Sequence, residues 1–114
     1  MAKSRVDAVV VTTDVLFNYN VAAVADLAVK KRLPSAGAKA FAEAGGLIGY
    51  GLNFPEMDRR AAYFVDKILK GVKPEDLPVQ QPTKFDLVIN MKTAKALGLT
   101  IPPTVLLRAD QVIQ

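Results

Sequence analysis

The chemistry open to this chain is bounded by two absences: its 114 residues include no histidine and no cysteine. That removes Ser-His-Asp and Cys-His catalysis, imidazole and thiolate metal ligands, disulfides, and the side chain most used for proton transfer near neutral pH. Carboxylates, lysines, hydroxyls and backbone groups remain, a set suited to binding more than to reaction. The reading therefore assigns no catalytic residue, no metal ligand and no cofactor. Two acidic pairs, Glu56 with Asp58 and Glu75 with Asp76, do not change it. Carboxylates one or two positions apart do not face each other on a helix, and neither pair has the contrasting surroundings that separate an acid from a base.

Two short stretches are suited to holding a ligand. Thr12-Thr13-Asp14 follows an apolar run and precedes a helical pattern. Asp14 there either caps the helix or pairs its carboxylate with a ligand ammonium, and its position supports both. Thr12 and Thr13 offer hydroxyls to the same ligand, or reflect β-propensity alone. The second stretch is Gly49-Tyr50-Gly51-Leu52-Asn53. Its glycines permit close backbone approach, and Tyr50 supplies an aromatic wall with a polar tip or a core-facing ring in an unusual turn. The glycines from Gly45 to Gly51 lack the spacing of a dinucleotide fingerprint, and no Lys-Ser/Thr follows them as in a phosphate-binding loop.

The elements that must position these residues follow from periodicity. Val6 to Thr12 is an unbroken β-branched run, expected as a central parallel strand covered on both faces. Val15 to Arg32 carries Leu16, Val24, Leu27 and Ala28 at helical spacing and stops at Leu33-Pro34, which predicts one helix of about four turns. Leu33 to Ala36 reads as a short edge strand, Lys39 to Ala44 as a helical turn closed by Gly45-Gly46, and Leu47 to Gly51 as a strand. Asn53, Pro55 and Glu56 then open a helix whose stripe is Ala61, Phe64, Val65, Ile68 and Leu69, ending at Gly71. Val72 to Thr83, with three of the seven prolines, is an irregular connector. Phe85 to Met91 reads as a strand, Thr93 to Leu97 as a short helix before Gly98, and Pro102-Pro103 as the opening of a last helical segment.

Strands alternating with amphipathic helices predict a three-layer α/β domain around a mostly parallel sheet. Such sheets bind ligands at the carboxyl ends of their strands, and both candidate stretches fall there. The net charge of +4 does not signal nucleic acid, because Lys30, Lys31 and Arg32, and Lys67, Lys70 and Lys73, cluster where helices end and no aromatic residues interleave with them. As written, the chain has neither an export signal nor a membrane anchor.

Several blocks taken together carry a resemblance: Ala44-Gly-Gly-Leu-Ile-Gly-Tyr-Gly51, Arg59 through Gly71, Lys73-Pro-Glu-Asp-Leu-Pro78, Phe85-Asp-Leu-Val-Ile-Asn90, Lys92 through Pro103, and Leu106 through Ile113. The chain resembles the C-terminal portion of substrate-binding proteins of ABC transporters, in the branch that includes tryptophan- and tyrosine-type amino-acid binders. The resemblance implies one lobe of a periplasmic-binding-protein-like fold, noncovalent binding of a small amino-acid-like ligand in a cleft between lobes, an ABC permease as partner of the full-length protein, and a periplasmic or lipid-anchored extracytoplasmic location. It also raises Asp14, in the loop after the first strand, as a residue facing the cleft.

On this reading the chain is roughly one third of such a protein and looks like a fragment. Residues 1–78 are expected as the ligand-binding lobe, 79–84 as a hinge-like connector, and 85–114 as a segment that completes the other lobe or the hinge. That last segment would then expose Leu87, Ile89, Leu97 and Leu106 and favour a homodimer. The alternative is a free-standing α/β interaction module without a transport role.

Overall fold

A computed structural model describes residues 6–114, which form an α/β structure around a five-stranded sheet. The strands are β1 (Val9–Val10), β2 (Ser35–Gly37), β3 (Ile48–Leu52), β4 (Phe85–Asn90) and β5 (Gln111–Ile113), and they lie side by side in that order. β1 with β2, β2 with β3, and β4 with β5 are parallel. Around β3 and β4, the Asn90 N–H donates to the Leu47 carbonyl at 2.9 Å and the Asn53 N–H to the Lys84 carbonyl at 3.3 Å. These bonds join the start of each strand to the end of the other, so this pair runs antiparallel.

The Val6–Thr12 run departs from expectation. Only Val9 and Val10 are strand, they lie at the margin of the sheet, and Val10 is 76% exposed. The interior place between β1 and β3 belongs to β2, which was expected at an edge. An apolar run signals strand; it does not say which neighbours will cover it.

The predicted helix of residues 15–32 is two: α1 (Val15–Tyr19) and α2 (Val21–Lys30). Asn20 separates them with φ −112° and ψ 21°, and its Nδ2 donates to the Leu16 carbonyl at 2.9 Å. A side chain that bonds the carbonyl four residues back competes with helix propagation. Next come α3 (Lys39–Glu43), α4 (Phe54–Leu69), a 3₁₀ turn at Pro74–Asp76, α5 (Met91–Leu97) and α6 (Pro103–Leu106).

Four helices close alike. After α3, α4 and α5, the residues Gly45, Gly71 and Gly98 adopt φ of 114°, 96° and 71°. Each donates its N–H to the carbonyl three residues back, and the next residue donates to the carbonyl five back. That is the Schellman arrangement, which needs a left-handed residue and favours glycine. After α2 the same two bonds form, Arg32 to Val29 and Leu33 to Ala28, both 2.9 Å, but the left-handed residue is Arg32 at φ 55°. Arg32→Gly is therefore expected to stabilise the protein by about 0.5–1 kcal/mol, the left-handed strain of a non-glycine residue less the extra entropy of the unfolded glycine. Gly71→Ala, where only φ is at issue because nothing lies within 4 Å of the added carbon, is expected to cost about 1 kcal/mol. Urea denaturation of both variants checks this; a destabilising Arg32→Gly would refute it.

The chain divides into two compact units, one reaching to Gly51 and resuming at Asp86–Gln114, the other Leu52–Phe85. Residues 86–114 supply two strands to the same sheet as residues 9–52, with Val88 and Ile89 of β4 fully buried. Leu87, Leu97 and Leu106 are half-buried, while Phe85 and Leu107 are exposed.

The core of the first unit is Ala25, Ala28, Phe41, Ala42, Leu47, Val88, Ile89 and Ala94. α3 packs on β2 and on α2, and α5 on α2 and β5. The second unit is built on α4, capped by Asn53, whose Oδ1 accepts the Glu56 N–H at 2.9 Å. No residue of α4 is buried. The lysine-rich helix ends are solvated and paired: Lys30 with Asp26 at 2.6 Å, Lys70 with Asp66 at 2.9 Å, and Lys67 lying 5.4 Å from the Tyr63 ring centre.

Candidate functional site

β1, β2 and β3 all end at one edge of the sheet, and the antiparallel β4 begins there. The residues at this edge, within the first unit, are Thr12, Thr13 and Asp14 after β1, Ala38 and Lys39 after β2, Tyr50 and Gly51 at the end of β3, and Asp86 in the first turn of backbone of β4.

Asp14 is the N-cap of α1. Its backbone is extended, with φ −142° and ψ 151°, and its Oδ1 accepts the Leu16 N–H at 2.8 Å. The capping reading is thus realised, and it occupies one oxygen. The other carboxylate oxygen of this exposed side chain has no protein partner among the described residues, so capping and ligand contact are compatible here. Thr12 and Thr13 are exposed beside it.

The Gly-Tyr-Gly stretch is used differently from the sequence expectation. A β-carbon on Gly49 would lie 2.9 Å from the Ala42 β-carbon, 3.0 Å from the Ala38 carbonyl oxygen and 3.0 Å from the Lys39 α-carbon. The close approach that Gly49 permits is therefore made by the chain's own α3, laid flat on the sheet. Gly51 lies under the same turn, with the Ala38 α-carbon 3.9 Å from the position its β-carbon would take. Strand alternation then puts Tyr50 on the opposite face, where it is exposed. Asn53 belongs to the second unit and caps α4. The structure thus brings Thr12, Thr13, Asp14, Tyr50 and Gly51 to one edge, with Tyr50 and Gly51 on different faces.

Two functional-looking groups escaped the sequence reading. Asp86 is buried although it is a carboxylate, and the Lys39 Nζ lies 3.3 Å from its Oδ2, with the lysine side chain 39% exposed. A buried charge needs a partner, and a lone acid inside Phe85-Asp-Leu-Val-Ile-Asn90 was the signal for it. Its partner stands 47 residues away, beyond any local pattern. The second is Asn90, also buried, which joins three segments: its Oδ1 accepts the Thr93 N–H at 3.1 Å, its Nδ2 donates to the Ala42 carbonyl at 3.0 Å, and its own N–H donates to Leu47.

The second unit carries a groove of about 280 Å³ lined by α4 and residues 80–84, including Met57, Arg60, Phe64 and Gln80. The Arg60 Nε donates to the Gln80 Oε1 across it. Among the described residues no cluster of acidic side chains is suited to a metal ion, and no helix is long and apolar enough to cross a membrane.

Comparison with known proteins agrees with this fold. Residues 1–113 match the family model of ABC transporter substrate binding protein. A Streptococcus pneumoniae structure described as an ABC domain in complex with L-Trp is 33% identical with a TM-score of 0.85, covering 96% of this chain and 37% of that one. A conserved domain protein from Vibrio cholerae O1 biovar El Tor is 31% identical with a TM-score of 0.84, covering 93% and 36%. The ligand-free, open structure of CD0873 from Clostridium difficile, a substrate binding protein with adhesive properties, is 27% identical with a TM-score of 0.66, covering 93% and 36%. The chain therefore spans little more than a third of the length of each of these structures. A search of curated proteins finds no match. With a five-stranded, mostly parallel sheet of the same shape and a match over essentially its whole length, the chain belongs to the family of ABC transporter substrate-binding proteins.

Proposed function

We propose that this chain supplies one wall of an amino-acid-binding cleft in an importer's substrate-binding protein, gripping its ligand noncovalently and catalysing no reaction. The observation that carries the proposal is Asp14: an exposed carboxylate at the sheet edge where ligands bind, with one oxygen committed to α1 and the other without a protein partner among the described residues. The L-Trp complex of the Streptococcus pneumoniae relative supports an amino-acid-like ligand. Thr12, Thr13, Tyr50 and Gly51 share the edge. Asn53, as the cap of α4, serves by setting that helix's start. In this role the protein works outside the cytoplasmic membrane and delivers ligand to an ABC permease, and closure of a second wall over the ligand is what the permease recognises.

Asp14→Asn separates the two uses of the side chain, because asparagine caps helices as well as aspartate does. The variant is expected to keep its stability within about 0.5 kcal/mol while binding L-tryptophan about tenfold or more weakly, the loss of a charge-assisted bond. The chain contains no tryptophan, so the ligand's own fluorescence reports binding. Unchanged affinity in Asp14→Asn would overturn the site.

A second reading is favoured by α4, where Phe54, Val65 and Leu69 are exposed on one side: a free-standing module that dimerises through that side. A monomeric mass by light scattering at micromolar concentration excludes it.

A further inference from the structure

We infer that the groove on α4 is a binding site for a small carboxylate with an apolar body, its anion held between Arg60 and Lys84. The inference stands apart from the sheet-edge reading given above and needs none of the residues assigned to ligand contact there.

The groove has two built walls. Met57, Arg60, Ala61 and Phe64 line one of them, and their spacing sets them along a single side of α4. Residues 80–84 form the other, held at two points: the Asn53 N–H donates to the Lys84 carbonyl at 3.3 Å, and Gln80 is tied to Arg60. Pro82 lies between those points, and its fixed backbone angle stiffens the wall. At about 280 Å³ the space stands at the small end of ligand pockets. Met57, Ala61 and Phe64 give it an apolar floor, in which the methionine adapts its shape to a ring.

The charge around this floor is one-sided. Arg60 and Lys84 are exposed cations on the groove. Arg60 spends its Nε–H on the Gln80 Oε1, which fixes the plane of the guanidinium, while its two terminal nitrogens have no protein acceptor among the described residues. The Lys84 ammonium has none among them either. Glu56, the acid on the lining, is bound by Arg59 at 2.9 Å, and Arg59 lines the neighbouring hollow instead. A carboxylate in the groove therefore meets two uncommitted cations and no uncompensated acid. The terminal edge of a guanidinium takes a carboxylate through two parallel bonds, and one already oriented loses little freedom in making them.

The test is an amide NMR titration of the whole chain with phenylpropanoate, with phenylpropanamide as its uncharged match and phenylpropylamine as its cationic one. Saturable shifts are expected at residues 56–64 and 80–84, with phenylpropanoate bound about tenfold or more tighter than either control. Arg60→Gln should weaken phenylpropanoate about tenfold or more and phenylpropanamide less than about twofold, and Lys84→Gln should weaken the carboxylate about threefold or more. Arg60→Lys, which keeps the charge without the fork, should regain part of the loss. Gln80→Ala, which frees the guanidinium without removing it, should fall between the parent and Arg60→Gln. Equal binding of the three probes, shifts centred on residues 12–14 in place of α4, an Arg60→Gln chain that binds phenylpropanoate as tightly as the parent, or the absence of saturable shifts overturns the site.

Discussion

Phe41→Ala is expected to remove about 3–5 kcal/mol of stability, a large share of the roughly 5–15 kcal/mol available to a domain. Phe41 is the largest fully buried side chain, 2% exposed in the middle of the five-residue α3. So short a helix has little stability of its own; what holds it is this ring on the sheet. The ring rests on glycines. A β-carbon on Gly37 would lie 2.7 Å from the Phe41 Cγ, and one on Gly46 would lie 2.8 Å from the Phe41 carbonyl oxygen. Positions without side chains cannot swell into the vacated volume, so the cavity stays open and the cost falls at the upper end of the range. Gly46→Ala is expected to be comparably harmful for the converse reason, because the added carbon would collide with the buried Phe41 ring and also with the Phe41 carbonyl oxygen, which is backbone and cannot rotate away. Equilibrium urea unfolding followed by circular dichroism measures both. A Phe41→Ala protein within about 1 kcal/mol of the parent would show that α3 is held by something other than this contact.

Asn90→Ala is expected to cost about 2–4 kcal/mol, from the loss of a helix cap together with a buried amide bond. The side chain satisfies the start of α5 through Thr93 and the end of α3 through Ala42, both in buried surroundings. Thr93 completes the link by donating its hydroxyl to the Gly45 carbonyl at 2.8 Å. Because Asn90 and Thr93 hold the same Ala42–Gly45 turn, Asn90→Ala and Thr93→Val should be less than additive, with a coupling of about 0.5 kcal/mol or more in a double-mutant cycle. Additive losses would mean that the two bonds act independently. Asn90→Asp should also destabilise, since it sets a buried carboxylate oxygen against the Ala42 carbonyl in place of a donor.

Local signals were legible in the sequence and non-local ones were not. α4 could be read almost residue by residue, from the Asn53 cap through Pro55 and Glu56 to Gly71, because every one of those signals acts within a turn or two of the chain. The alternation of strands and helices, and hence the fold class, came from the same short-range patterns. Sheet order did not. Nothing within Val6–Val11 reveals that its strand lies at the margin, and nothing within residues 85–114 reveals that they complete the sheet begun by β1, because pairing partners are chosen across tens of residues. At the candidate site, Asp14 is conspicuous as a carboxylate between a strand and a helix. The Lys39–Asp86 pair is not legible, because a lysine opening a short helix is unremarkable until Asp86 is seen beside it. Gly49 was noticed for the right property, room for close approach, but the occupant of that room is α3.

The hydrogen bond between Asn53 and Lys84 bears on how such a chain can change over evolutionary time. It marks a single doorway through which the backbone leaves the sheet after β3 and returns to it as β4, so residues 54–83 form an insert whose two ends are already stitched together. The entropy of closing a loop grows only with the logarithm of its length, about 0.6 kcal/mol for each doubling. Lineages can therefore lengthen, trim or exchange this excursion at little cost to the sheet, whereas the few residues on the threshold, from Leu52 to Asn53 and Lys84 to Phe85, have far less freedom to vary.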